Sequence, residues 1–111
     1  MKIRLPSKKV CERFHLTYEL KGAWKAVGVL SSYYGIRNMK IVLNGRKVGN
    51  GYEASYNRNV AYFKKGGLNN VNVLHEFFHH IVLVSELKIT EKKEEKDANR
   101  FAREVLKEVP K

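Results

Sequence analysis

The sequence predicts an α+β fold in which a small sheet is grouped ahead of two paired helices. Three observations support this prediction. Apolar residues recur at helical spacing near both ends of the chain, short apolar runs between turn signals occupy its middle, and no repeat or linker divides it. A chain of 111 residues is long enough for one hydrophobic core. We therefore expect residues 1–111 to form a single domain.

The first element is a predicted N-terminal helix over residues 16–34. Apolar side chains, including Leu16, Leu20 and Trp24, recur within it at helical spacing, and Gly35 stands where a C-cap would. Three short strands are predicted next, over residues 39–43, 52–56 and 60–63. Turn signals separate these runs, so we expect a small sheet of at least three strands.

Two helices are predicted after the sheet. One runs from residue 71 to about residue 87, with an asparagine at 69 or 70 available as its N-cap. The other begins after Thr90 and runs to about Val109, where Pro110 ends it. The apolar face of this last helix consists of Ala98, Phe101, Ala102, Val105 and Leu106.

The composition excludes several classes of protein. Cys11 is the only cysteine, which excludes a disulfide framework and a cysteine-based structural zinc site. We expect Cys11 to be a small buried hydrophobe. No apolar run approaches the length that spans a bilayer, and the basic start lacks the apolar stretch of a signal peptide. We therefore expect a cytoplasmic protein without a membrane span.

The charge is strongly positive and unevenly distributed. The chain carries 22 basic and 11 acidic side chains, a formal net charge of +11, and the whole excess lies in residues 1–74. This excess raises the alternative of a basic nucleic-acid-binding or regulatory module, with a structural or vestigial metal site. No helix-turn-helix, zinc-finger or RNA-recognition signature accompanies it, so nucleic acid is the less favoured partner.

The motif His75-Glu76-x-x-His79 carries the functional prediction. Residues four apart in a helix lie on one face, so both imidazoles can reach one Zn²⁺ ion at roughly 2.0–2.1 Å. Glu76 lies beside the metal and can take a proton from its water, which predicts a catalytic role for this carboxylate. His80 points about 100° away from His79 and is expected at the surface or beside the ligands.

A catalytic zinc ion needs a third protein ligand, and the acidic start of the last helix is the natural source. We favour Glu95, which precedes Ala98 by three residues and so shares the core-facing side of that helix. Glu94 and Asp97 stay open as the second and third choices. Asn99 lies on the same face as Glu95 and can accept a hydrogen bond from a ligand histidine.

With Glu95-x-x-Ala98-Asn99, the motif resembles the gluzincin metallopeptidases, whose third ligand is a glutamate on a later helix. Within that group, the second motif is similar to the Glu-x-x-Ala-Asp of Ste24/HtpX-type peptidases. Length and lack of membrane spans most resemble the minigluzincins, small archaeal proteins that consist of the catalytic domain alone. Asn99 replaces the usual aspartate, and the same motif also resembles ImmA/IrrE-type peptidases.

The resemblance implies further properties. The chain would be a zinc-dependent metalloendopeptidase acting on a peptide or protein substrate, with zymogen-like latency controlled by its C-terminal segment. An edge strand ahead of the motif would pair with extended substrate, which assigns substrate binding to Asn59, Val60 and Ala61. The polar connection before the last helix also predicts a homodimer by exchange of that helix. The charge distribution, apart from the resemblance, predicts that the basic part of the chain forms scaffold and cleft rim and favours acidic substrates.

Overall fold

The computed structural model describes residues 2–108. It contains four helices: α1 Lys8–Lys21, α2 Ala23–Tyr34, α3 Asn70–Val84 and α4 Glu91–Lys107. Its strands are β1 Lys40–Leu43, β2 Ala54–Asn57 and β3 Val60–Phe63. The predicted α+β class is therefore confirmed. No helix in this part of the chain is both long enough and apolar enough to cross a membrane.

The predicted single N-terminal helix over residues 16–34 is wrong, because the segment forms two helices. α1 begins much earlier, where the Ser7 side chain accepts a hydrogen bond from the backbone N–H of Val10. Gly22 then interrupts the helix with φ 91° and ψ 176°, a conformation that glycine adopts without steric cost. The interruption lets α2 pack back against α1.

The interruption also changes which side chains face the core. Leu16, Leu20 and Trp24 are 59%, 72% and 57% exposed, so this part of the apolar stripe inferred from one continuous helix does not face inward, whereas its continuation at Val27 and Leu30 is buried. The buried face of α1 is instead set by Cys11 and Phe14, both 1% exposed. Burial raises the pKa of the Cys11 thiol to about 11, and the expectation of a small buried hydrophobe is confirmed.

The sheet is mixed, with strand order β1-β3-β2. β3 pairs in parallel with β1 and antiparallel with β2. The expected edge position of Val60–Phe63 is therefore wrong, because both of its sides are already hydrogen-bonded. A tight turn joins β2 to β3, with Arg58 at φ 43° and Asn59 at φ 74°. Two successive positive φ angles are typical of the two-residue hairpin turn that matches strand twist.

α3 and α4 form the helix pair expected after the sheet. Asn69 caps α3 by accepting from the N–H of Asn72, and Thr90 caps α4 by accepting from that of Lys93. α3 ends at Val84, earlier than predicted. α4 ends at Lys107, and the predicted end at Val109 and Pro110 lies outside the described residues.

The two helices pack through aromatic side chains. Phe101 of α4 contacts Phe77 and Phe78 of α3, with ring centroids 6.5 and 5.6 Å apart. The buried residues of α4 are Asp97, Ala98, Phe101, Ala102 and Val105. This packing brings the acidic first half of α4 beside the histidines of α3.

Candidate metal centre

Three side chains converge where α4 crosses α3. The Nε2 atoms of His75 and His79 lie 3.2 Å apart. One carboxylate oxygen of Glu95 lies 3.2 Å from Nε2 of His75, and the other lies 2.8 Å from Nε2 of His79. The structure thus brings together the two histidines of the motif and the favoured glutamate of the last helix.

The other ring nitrogen of each histidine is held by α4. Nδ1 of His75 donates to Oδ1 of Asn99 at 2.8 Å, and Nδ1 of His79 donates to the carboxylate of Glu94. A proton on each Nδ1 leaves both Nε2 lone pairs directed at the same space. Histidines that bind metals are usually oriented in this way by a carboxylate or carbonyl partner.

The three atoms fit a tetrahedral zinc ion. With ligands at about 2.0–2.1 Å from the ion, neighbouring ligand atoms are separated by about 3.3 Å. The two histidine Nε2 atoms are 3.2 Å apart, and each lies 3.2 or 2.8 Å from a different oxygen of the Glu95 carboxylate, separations that are close to this value. Two imidazoles and one carboxylate are also a typical donor set for a zinc site that keeps one position open. The residues present therefore suit Zn²⁺.

The other two acidic choices have different partners. Glu94 contacts Nδ1 of His79, the ring nitrogen that does not face the other candidate ligands, and so orients the ring. Asp97 is buried and pairs with Lys93 at 3.3 Å, one turn earlier on the same helix. Among the three acidic residues considered, Glu95 alone joins the histidine Nε2 atoms.

Glu76 lies at the base of the same cleft and is only 6% exposed. Burial raises the pKa of its carboxyl, the neighbouring His75 and His79 act to lower it, and Glu95 acts to raise it. The role of general base that the motif predicts for this buried carboxylate stays a prediction.

The cleft has a volume of about 800 Å³ and lies between the sheet and the two helices. Its walls are β2, the loop before β2, and the facing sides of α3 and α4. Asn59, Val60 and Ala61, the predicted substrate-binding residues, do not line it. The physical reason is the strand order, because β3 lies inside the sheet and Ala61 is completely buried. The edge strand beside the cleft is β2.

Asn59 has a structural role at the β2–β3 turn. Its backbone N–H donates to the hydroxyl of Tyr56 at 2.9 Å, and its side-chain oxygen accepts from Nε of Arg37 at 2.8 Å. Its carbonyl also accepts from the N–H of Lys40 at the start of β1. Asn59 therefore stabilises the corner of the sheet.

His80 belongs to the same network and is completely buried, so the expected surface position is wrong. Its Nε2 donates to the carbonyl of Arg37 at 2.7 Å, which leaves Nδ1 to accept from the hydroxyl of Tyr56 at 2.7 Å. Burial lowers the pKa of His80 and favours this neutral form. The network connects β2 to α3.

Replacing Tyr56 by phenylalanine is expected to lower the free energy of unfolding by about 1–3 kcal/mol, because it leaves two partly buried polar partners unsatisfied. Tyr62→Phe is the matched control. The Tyr62 hydroxyl has no hydrogen-bond partner among residues 2–108, so its removal should change stability by less than about 0.5 kcal/mol. Urea denaturation measures both variants. Equal effects would contradict the assigned network.

Two further cleft residues, Tyr52 and Glu53, were predicted in a strand over residues 52–56, and Glu53 was not predicted as a functional residue. They belong to the loop before β2, and no local motif marks them. Their place in the cleft depends on the sheet order.

No protein-family model matches the chain, and no curated protein or solved structure matches it either.

Proposed function

We propose that this protein is a zinc-dependent metallopeptidase of gluzincin type that hydrolyses peptide bonds in a peptide or protein substrate. The observation that carries the proposal is the convergence of His75, His79 and Glu95 on one point, with Glu76 buried beside them. The separations of their donor atoms suit zinc, and the cleft beside them is large enough for several peptide residues.

In this proposal the side chains divide the reaction between them. Zinc at the triad would supply a Lewis acid and an activated water nucleophile. Glu76 takes one proton from the attacking water and delivers it to the leaving amine, while the water oxygen joins the new carboxylate. Asn99 and Glu94 hold the histidine rings so that both Nε2 lone pairs face the site.

Substrate would bind along β2. Among the described residues this strand pairs only with β3, so its other edge is open to an added strand. Ala54, Ser55 and Tyr56 of β2 line the cleft. Main-chain pairing at this edge would hold an extended peptide across the triad with little dependence on its side chains. This assignment replaces the one made for Asn59, Val60 and Ala61.

The same proposal includes a cytoplasmic location, exchange of α4 between two copies, and a latent form in which the C-terminal segment lowers peptide cleavage without abolishing it. Three residues of the candidate centre, Glu94, Glu95 and Asn99, come from α4, which follows a six-residue connection over residues 85–90. A copy that gave its α4 to a partner would complete the partner's site and lose its own unless the exchange were mutual. Size-exclusion chromatography with zinc stoichiometry would detect such a dimer.

Metal removal and reloading test the proposed function. The purified full chain, stripped with a chelator and reloaded, should bind one zinc ion per chain and regain cleavage of an unfolded protein substrate. Failure to bind zinc would overturn the proposal. Zinc-independent binding to generic DNA with a steep salt dependence would favour the nucleic-acid alternative instead.

A further inference from the structure

The charge of the cleft is opposite to that of the protein. The chain has 22 lysines and arginines and a formal net charge of +11, yet none of these cations lines the cleft as formed by residues 2–108. Four of the 11 acidic residues do line it, namely Glu53, Glu76, Glu94 and Glu95. A divalent cation at the triad would offset two of these four negative charges. The cleft is thus a negative region in a positive surface.

Two of these glutamates are paired and a third is buried. Glu95 contacts both histidine Nε2 atoms, Glu94 contacts Nδ1 of His79, and Glu76 is buried beside them. Glu53 differs from all three, since it is exposed and its carboxylate has no lysine, arginine or histidine nitrogen within 4.0 Å in the described part of the chain. An unpaired, exposed carboxylate on the cleft wall is available to a ligand.

The backbone of Glu53 is held in place although its side chain is exposed. Its carbonyl accepts from the N–H of Lys64 at 3.0 Å. The chain at Gly67 passes so close that a Cβ atom there would lie 2.5 Å from that carbonyl oxygen. The carboxylate therefore projects from a fixed point at the entrance to β2.

Neighbouring cations do not neutralise this position. The ammonium group of Lys64 donates to the carbonyl of Gly49 at 3.2 Å, on the loop that leads to Glu53. Arg58 lies beyond the other end of β2, in an adjoining cavity that shares Tyr56, His79 and Glu94 with the cleft. A peptide paired with the free edge of β2 would lie near Glu53 at one end of the strand and near Arg58 only at the other end.

We propose that the cleft selects peptides carrying a lysine or arginine side chain, and that Glu53 is the residue that binds this side chain. The proposal rests on the proposed function and names its substrate class. It is opposite to the expectation of acidic substrates, because the basic excess lies outside the cleft. A hydrogen-bonded ion pair at this position favours a basic over a neutral side chain by about tenfold.

Two measurements test the preference with one set of matched peptides that differ at a single position, as lysine, methionine or glutamate. The first is the affinity of each peptide for the zinc-loaded Glu76→Gln protein, measured by fluorescence anisotropy. The second is kcat/KM for cleavage by the zinc-loaded wild-type chain. The lysine peptide should have an affinity and a kcat/KM about tenfold higher than those of the methionine peptide. The glutamate peptide should have the lowest values of both.

Variants at Glu53 assign the preference to that residue. Glu53→Gln should reduce to about one the ratio of kcat/KM, and of affinity, between the lysine and methionine peptides. Glu53→Lys should make the glutamate peptide the preferred one. Both variants should keep one zinc ion per chain, since Glu53 does not contact the histidines. Glu91→Gln, an exposed change on α4 outside the cleft, is the control and should keep the wild-type ratio.

The outcomes separate this inference from the proposed function. Peptide cleavage with no basic preference, or a preference that Glu53→Gln leaves intact, would overturn the role of Glu53 and leave the peptidase proposal standing. Zinc-loaded wild-type protein that neither binds nor cleaves any of the peptides would overturn both.

Discussion

Replacing Glu76 by glutamine is expected to reduce peptide cleavage by about 10²–10⁴-fold while one zinc ion per chain is retained. The amide keeps the size of the side chain but cannot take a proton from the attacking water. Zinc retention follows from the geometry, because the three donor atoms belong to His75, His79 and Glu95. Zinc stoichiometry and kcat, measured on the same sample, check both halves of this expectation.

Glu91→Gln supplies the matched control for that change. It makes the same replacement at an exposed position in the first turn of α4, outside the cleft. We expect its activity to equal that of the wild type within about twofold, since surface substitutions usually change energies by less than about 0.5 kcal/mol. If Glu76→Gln retained full cleavage, Glu76 would not be the base.

Replacing His75 by alanine is expected to abolish both zinc binding and cleavage. The substitution removes one of three donor atoms and leaves the Asn99 side chain without its partner. Asn99→Ala should have an intermediate effect, a loss of about 10–100-fold in zinc affinity, because it frees the imidazole without removing it. Competition with a chromophoric chelator measures these affinities.

The order of these affinities is the informative result. Wild type should bind most tightly, Asn99→Ala less tightly, and His75→Ala least. His75 is only partly buried, so its replacement should leave the fold intact, which circular dichroism can verify. Equal zinc affinity in His75→Ala and wild type would place the metal elsewhere.

Local sequence patterns predicted the helices and the strand runs that carry the site. The helical spacing of His75 and His79 needs no tertiary information, and α4 begins directly after Thr90, as predicted. Glu95 was chosen because it shares a helix face with Ala98, and that face does pack on α3. The positions of these residues on their helices could be predicted because each depends on residues only a few positions apart.

Long-range features were not accessible in this way. Strand order decides which edge faces the cleft, and the runs at 54–57 and 60–63 do not indicate which of them lies inside the sheet. The burial of His80 depends on Tyr56 and Arg37, which are 24 and 43 residues away. Gly22 could have indicated a break, but helices tolerate single glycines.

Composition also gave an incomplete description of the charge. The net charge of +11 describes the whole chain, whereas the cleft is lined by glutamates from three separate segments. Glu53 was one of only three acidic residues in the first 74, and its position beside the triad results from the fold.

A crystal of the full chain soaked in zinc, with anomalous diffraction recorded at the zinc absorption edge, tests the central proposal most directly. We predict one anomalous peak per chain, within bonding distance of Nε2 of His75, Nε2 of His79 and the carboxylate of Glu95, with a fourth position open towards the cleft. A peak at other residues would contradict the proposal. So would the absence of a peak while these three side chains keep direct imidazole–carboxylate contacts.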